Sequence, residues 1–263
     1  MWRLGFIGTG VLAEAVIHSL QTVRGDELVL YLSPRSHSRS ASLAADYSNV
    51  TRMESNQEVL EHSDVVFLGM RPQQLNDALV GLQFRAEQIV VSFLANTPCS
   101  TVLSKVAPVT RVRRVIPTSA IKYRQGPVLQ YPRDEVIEDI FRHLGDRVVV
   151  SQESELTALS QASALMSAHF QLQNTLVDWL QSRGVAARTA TNYVHSMFQG
   201  FAQIARSDSR DCEPLIPASY ETLGGLNECG RRCLAGSGWF EQVIGVLDTI
   251  EAHIVLPSTS PTR

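Results

Sequence analysis

Lysine is almost absent from this chain. Of its 23 basic residues only Lys105 and Lys122 are lysines, and none follows Ser151. That excludes a lysine ammonium as the general acid of any site built from the C-terminal part. Cysteine is scarce too. Cys99, Cys212, Cys229 and Cys233 form no CxxC pair, and no histidine completes a zinc spacing. Neither a metal site nor a disulfide framework is expected. Charge of one sign is lacking: a formal net charge of -3 gives no basic face for nucleic acid and no attraction to an anionic membrane. No apolar run reaches the roughly 18 residues of a membrane span, and the opening MWRLGFIGTG lacks the apolar core of a signal peptide. The 263 residues, 44% hydrophobic and 19% charged, fit one to two domains of a cytoplasmic protein.

What is present is periodicity. Through residue 150, short apolar runs alternate with amphipathic stretches. RLGFIG, ELVLYLS, DVVFLGM, QIVVSFLA, RVRRVIP and DRVVVS read as strands. VLAEAVIHSLQTV, SRSASLAADY and QQLNDALVGL read as helices, with a shorter helical QEVLEH. The alternation predicts an α/β, doubly wound parallel sheet of Rossmann type over 1–150. After Ser151 the period changes. Apolar residues three and four apart run through ESELTALSQASALMSAHFQLQNTLVDWLQSRG to Gly184, then VAARTATNYVHSMFQGFAQIA, then Asn227 to about Ile254. An all-helical domain over 151–263 is predicted, with PSTSPTR as a frayed tail. Its helices carry more apolar surface than so small a domain can bury, which predicts a homodimer or higher homo-oligomer.

The first turn carries the sharpest signal. GFIGTGVLAEAV places Gly8, Gly10 and Ala13 in a GxGxxA pattern directly between a strand and a helix. Gly8 allows the tight turn, and Gly10 lets the backbone approach a pyrophosphate at the helix N-terminus, with Thr9, Val11 and Leu12 alongside. A site built for NAD usually has an acidic residue at the end of the second strand. Here that place reads LSPRSHSRS, with Ser33, Arg35, Ser36 and Arg39 and no carboxylate. That suits the 2′-phosphate of NADPH. In FLGMRPQ, Met70 and Arg71 would lie on the nicotinamide side, and Pro72 fixes the turn.

These segments together resemble the pyrroline-5-carboxylate reductase family over nearly the whole chain. GFIGTGVLAEAV is similar to the family's GFIGxGNMAxA, and SPRS stands at its short Arg-Ser or Arg-Thr loop. FLGMRPQ is similar to LAVKPQ, RVIPTSAIKYRQG to RxMPNxPxxxxxG, and ELTALS to the start of TALSGSGPAY. The resemblance implies that Asn56 lies near the cofactor and that TLGGLNECG stands at the family's SPGGTT loop. In that family the loop sits in the helical domain near a dimer interface and holds the carboxylate of a cyclic imine. Carried over, Gly224, Gly225, Leu226 and Asn227 bind the acid end of the substrate, since successive N–H groups at a helix start make an anion site. Departures from the pattern are Arg71 for lysine, Thr118 for asparagine, Leu223 for proline and Asn227 for threonine. SQASALM, in place of SGSGPAY, reads as plain helix. These changes gather around the substrate, not the cofactor.

Reduction of a carbonyl needs an acid for the emerging alkoxide. An imine can arrive protonated, so positioning and a carboxylate anchor suffice, and the missing lysine favours C=N over C=O. Candidate hydrogen-bond donors are Asn227, which would orient the ring at the reacting centre, Ser160 as a substrate contact, and Thr157. His169 and His195 read as surface or core residues, Phe170, Trp179, Tyr193 and Phe198 as packing, and Cys229 and Cys233 as buried thiols. The expected activity is NADPH-dependent reduction of a cyclic imino acid, most simply 1-pyrroline-5-carboxylate to L-proline. The alternatives are a reductase of another C=N or keto-acid substrate, and a non-catalytic NADPH-binding regulator.

Overall fold

A computed structural model describes residues 1–209 and 213–255; Cys212 and the PSTSPTR tail lie outside the described residues. The chain divides into two compact units, Met1–Ser160 and Gln161–Arg263. In the first, eight strands form one sheet: β1 (Trp2–Ile7), β2 (Leu28–Leu32), β3 (Val50–Arg52), β4 (Val65–Leu68), β5 (Ile89–Ser92), β6 (Arg111–Pro117), β7 (Pro127–Tyr131) and β8 (Asp146–Val149). Their order is β3-β2-β1-β4-β5-β6-β7-β8. The first unit's helices are α1 (Val11–Arg24), α2 (His37–Asp46), α3 (Asn56–His62), α4 (Leu75–Leu79), α5 (Cys99–Leu103) and α6 (Glu135–Ile140). The α7 helix (Glu153–Ala162) begins in this unit and runs to its boundary.

Both faces of the sheet are covered, which is why its central strands are continuously apolar. Side chains alternate across β4: Val65 and Phe67 join one core, with Leu4, Phe6, Leu30 and the α1 residues Val16, Ile17 and Leu20. Val66 and Leu68 join the other, with Val59 and Leu60 of α3, Leu75 and Leu79 of α4, and Val102 of α5. Phe6 and Phe67 stack at a centroid distance of 4.7 Å across the β1–β4 pair.

The parallel sheet expected from the sequence needs one correction. β7 runs antiparallel to β6, with Ile116 opposite Leu129. The connection between them is a 3-10 turn over Ser119–Tyr123, too short for the dozen or more residues of a parallel crossover. The α6 helix then carries the chain over to β8, which is parallel to β7. Asp134 starts α6 by accepting the N–H groups of Val136 and Ile137.

The helix expected over residues 73–82 contracts to a 3-10 turn at Pro72–Gln74 followed by α4. SQASALM is not plain helix either. Between α7 and α8 (Met166–Ser182) lies a 3-10 turn at Ser163–Leu165, the tighter winding common at helix ends and connectors. The second unit continues with α9 (Ala187–Asp208), which packs on α8, and then α10 (Leu226–Gly236) and α11 (Trp239–Val255).

Candidate functional site

The β1 strand ends at buried Ile7, and the chain turns through Gly8, Thr9 and Gly10 into α1. Gly8 has φ +91°, and a Cβ there would stand 2.8 Å from the backbone nitrogen of Met70. Only glycine fits. The Gly8 N–H donates to Ser33 Oγ at 2.9 Å, which ties the turn to the end of β2. Gly10 is the N-cap of α1 and has no side chain to offer. The first bond into the helix runs from Glu14 N–H to Gly10 C=O, so among the described residues the N–H groups of Val11, Leu12 and Ala13 have no acceptor.

This turn opens on a groove of about 710 Å³. Arg35, Ser36 and Arg39 line one side, and Gly69, Met70, Arg71 and Gln74 another, with Phe93 beside them. No carboxylate lines it. Arg39 shares its charge with Glu14, Nε to Oε2 at 3.1 Å, whereas exposed Arg35 makes no ion pair among the described residues. Positive charge and free helix amides thus converge on one surface, the combination that binds phosphate.

Gly8, Thr9, Gly10, Val11, Leu12, Arg35, Ser36, Met70 and Arg71 are therefore brought together. Three other expected residues stand apart from the groove. Ser33 is fully buried behind the turn that it holds. Asn56, the first residue of α3, donates from Nδ2 to the C=O of Ala78 at 3.1 Å. Pro72 begins the 3-10 turn after Arg71. Gly69, in the Gly-Met-Arg-Pro stretch expected on the nicotinamide side, joins the groove residues, whereas sequence reasoning passed over Gln74 and Phe93. Gly69 and Phe93 directly follow β4 and β5, and the carboxyl ends of parallel strands are where such sheets bind ligands.

In the second unit the two glycines of TLGGLNECG are accounted for by the turn they make. Gly224 has φ +71°, and a Cβ on Gly225 would stand 2.8 Å from Thr222 C=O, which accepts the Gly225 N–H at 2.7 Å. The Gly224 N–H donates to Glu228 Oε2, also at 2.7 Å. Both glycine amides are thus engaged within the chain. The first-turn amides of α10, on Leu226, Asn227 and Glu228, have no acceptor among the described residues. Asn227 donates from Nδ2 to Tyr220 C=O at 3.1 Å, and Tyr220 in turn donates its hydroxyl to Asp208 Oδ2 at 2.6 Å. That hydrogen bond raises the Tyr220 phenol above its ordinary range. Thr157 and Ser160 place their protons on backbone carbonyls of α7, those of Glu153 and Thr157.

Several packing expectations are corrected. Phe170, Trp179 and Tyr193 are 52%, 56% and 60% exposed on this chain, although Phe198 is half-buried against His169. Cys229 and Cys233 are free and exposed, not buried. Both faults come from reading helix periodicity as burial within one chain, which it does not guarantee. No helix among the described residues is long and apolar enough to cross a membrane, and none of their side chains cluster as a metal site.

A protein-family profile described as "NADP oxidoreductase coenzyme F420-dependent" matches residues 3–96. The pyrroline-5-carboxylate reductase of Pseudomonas aeruginosa is 25% identical over 78% of this chain and 78% of its own. Pyrroline-5-carboxylate reductase 2 of Bacillus subtilis is 23% identical over 94% of this chain and 92% of its own. The fold matches that of Plasmodium falciparum pyrroline carboxylate reductase with NADP bound, at a TM-score of 0.81 and 16% identity over 96% of this chain and 97% of that one. With a glycine turn between strand and helix, this sheet, an oxidoreductase profile over part of the first unit and relatives that align over most of its length, the chain is an NAD(P)-dependent oxidoreductase similar to the pyrroline-5-carboxylate reductases.

Proposed function

We propose that this protein uses NADPH to reduce a cyclic imine, with 1-pyrroline-5-carboxylate to L-proline as the reaction to test first. The observation that carries the proposal is the groove at Gly8–Leu12, where uncapped helix amides meet Arg35 and Arg39 and no carboxylate intrudes. NADPH supplies the hydride when bound. The amides of Val11 and Leu12 would hold its pyrophosphate, and Arg35, Ser36 and Arg39 its 2′-phosphate. An NADP molecule is bound in the Plasmodium falciparum relative, which supports the same choice of cofactor.

The substrate side rests on the second unit. Leu226 and Asn227 offer amide N–H groups at the start of α10, and Asn227 adds a side-chain amide that can orient a ring but cannot act as an acid. Thr157 and Ser160, at the end of the first unit, donate to their own helix, and no lysine follows Ser151. An imine that arrives protonated needs no acid from the protein, which is why C=N reduction suits these residues better than C=O reduction. The exposed aromatic faces of α8 and α9 support assembly as a homodimer, with a nucleotide-binding role for the first unit and a substrate and dimerisation role for the second. Light scattering after gel filtration tests the dimer; a monomer at micromolar concentration would count against it.

The deciding experiment follows NADPH absorbance with purified protein and 1-pyrroline-5-carboxylate, with NADH in parallel. Turnover faster with NADPH is expected. NADPH binding without turnover of any cyclic imine would leave a binding protein and overturn the reductase.

A further inference from the structure

Behind the loop that carries Arg35 stands a third arginine. Arg52 ends β3 in register with Leu32 of β2, and the next residue, Met53, donates its N–H to the Leu32 C=O at 2.9 Å. The Arg52 side chain therefore starts beside the loop that leaves β2 toward Arg35 and Ser36. Its Nη2 donates to the C=O of Pro34 at 3.4 Å, and its Nη1 lies 3.9 Å from Oε1 of Glu54, whose side chain is 84% exposed. Nε is buried and has no partner among the described residues. The Arg52 side chain is 23% exposed, and its ion pair with Glu54 is long and solvated, so most of its charge is uncompensated. The loop it touches needs support. Ser36 has φ +68°, a left-handed conformation that persists only where the surroundings hold it, and its hydroxyl does not cap α2.

We infer that Arg52 is a positioning residue for cofactor choice: it holds residues 34–36 by the Pro34 carbonyl and adds positive charge behind them, which favours NADPH over NADH. The inference rests on the proposal that Arg35, Ser36 and Arg39 receive the 2′-phosphate. Those three residues line the groove and Arg52 does not, so Arg52 acts through the loop. A 2′-phosphate carries negative charge that NADH lacks at that place, and charge behind the loop therefore acts on one cofactor and not on the other. Fixing the Pro34 carbonyl is one-sided in the same way. It sets in advance where the next two residues, Arg35 and Ser36, present their donors.

The test compares wild type with Arg52→Met and Arg52→Lys, with NADPH and NADH as alternative cofactors and 1-pyrroline-5-carboxylate as substrate. Methionine keeps an apolar stem in place and removes the charge and the donors; lysine keeps the charge and one donor. The readout is the ratio of kcat/KM for the two cofactors, which a general loss of folding does not move. Arg52→Met is expected to lower the preference for NADPH by about 3- to 10-fold, the range of one hydrogen bond's net contribution, with the loss in KM for NADPH and not in kcat. Arg52→Lys is expected to recover part of that preference. A methionine ratio equal to that of wild type overturns the inference, and so does a lysine ratio no better than methionine's. A wild type without any preference for NADPH sinks the 2′-phosphate reading and takes the inference with it. Should wild type turn over no imine, the reductase proposal fails separately. The comparison then moves to calorimetric binding of NADP+ against NAD+, where a narrower affinity gap in Arg52→Met supports the inference and an unchanged gap sinks it.

Discussion

The guanidinium of Arg114 is 1% exposed and donates from Nη1 to Glu153 Oε1 at 3.0 Å. The same carboxylate oxygen accepts the backbone N–H of Cys99 at 2.8 Å, so one residue of α7 braces both β6 and the start of α5. Nε and Nη2 of Arg114 are buried without partners among the described residues. Removing either partner breaks the pair, but the two losses are unequal. Glu153 is 27% exposed and can be solvated if left alone; Arg114 cannot.

Glu153→Ala should therefore destabilise the first unit by about 3–5 kcal/mol, the cost of stranding a buried charge. Arg114→Met, which takes the charge away and leaves an apolar chain of similar length, should cost clearly less. Urea denaturation of the two variants checks the order, and equal losses would refute it.

Cofactor choice should rest mainly on Arg35. It has no competing carboxylate, whereas Arg39 is shared with Glu14. Replacing Arg35 with alanine is expected to lower the preference for NADPH over NADH by about 10- to 100-fold, as the loss of a charged hydrogen bond of ~1.5–3 kcal/mol requires. Arg39→Ala should have the smaller effect. Steady-state kinetics with both cofactors decides between them.

Cys99 should be inert. Burial, and then the neighbouring Glu153 carboxylate, push its thiol up to about 12. At pH 8 only about one molecule in ten thousand would carry the reactive thiolate. Peptide mapping after brief iodoacetamide treatment of the folded protein should leave Cys99 unmodified; rapid alkylation at that site would contradict the geometry.

The buried carboxyl of Asp134 predicts a pH dependence. Burial alone would raise it, but the hydrogen bond from Arg111, the charges of Arg111 and Arg113 and the N–H of Ile137 outweigh burial and hold it below the usual range. A carboxyl lowered in the folded state contributes stability that is fully present above its unfolded value of about 3.9 and is lost as pH falls through the folded value. The stability gap between wild type and Asp134→Asn should be widest near neutral pH and close below about pH 4. A gap that does not change across that range would exclude the linkage.

How much of this was legible in the sequence differs from segment to segment. The Gly8 turn could be read because its demand is local: a positive φ and a backbone neighbour at one position. The continuous apolar runs of β1, β4 and β5 follow equally directly from burial on both faces. Strands β3 and β7 were missed because VTR is only three residues long and PVLQY stands among glycine, proline and charge. The reversal of β7 was invisible for the same reason, since it depends on the length of a connection whose far end was not recognised. At the second site the glycines stood out in the sequence, but the partner of Gly224 did not. Glu228 stands three residues past the glycine N-cap, and its hold on the amide before that cap is visible only in the folded geometry.

The hydrogen bond from Gly8 to buried Ser33 also separates two tasks that the sequence runs together. Ser33 steadies the turn that would grip the phosphates, and the residues that would tell one cofactor from the other begin only after it. An engineer seeking to convert the protein to NADH could rewrite Arg35 and Arg39 while leaving Ser33 in place. Selectivity would then change hands with the grip intact.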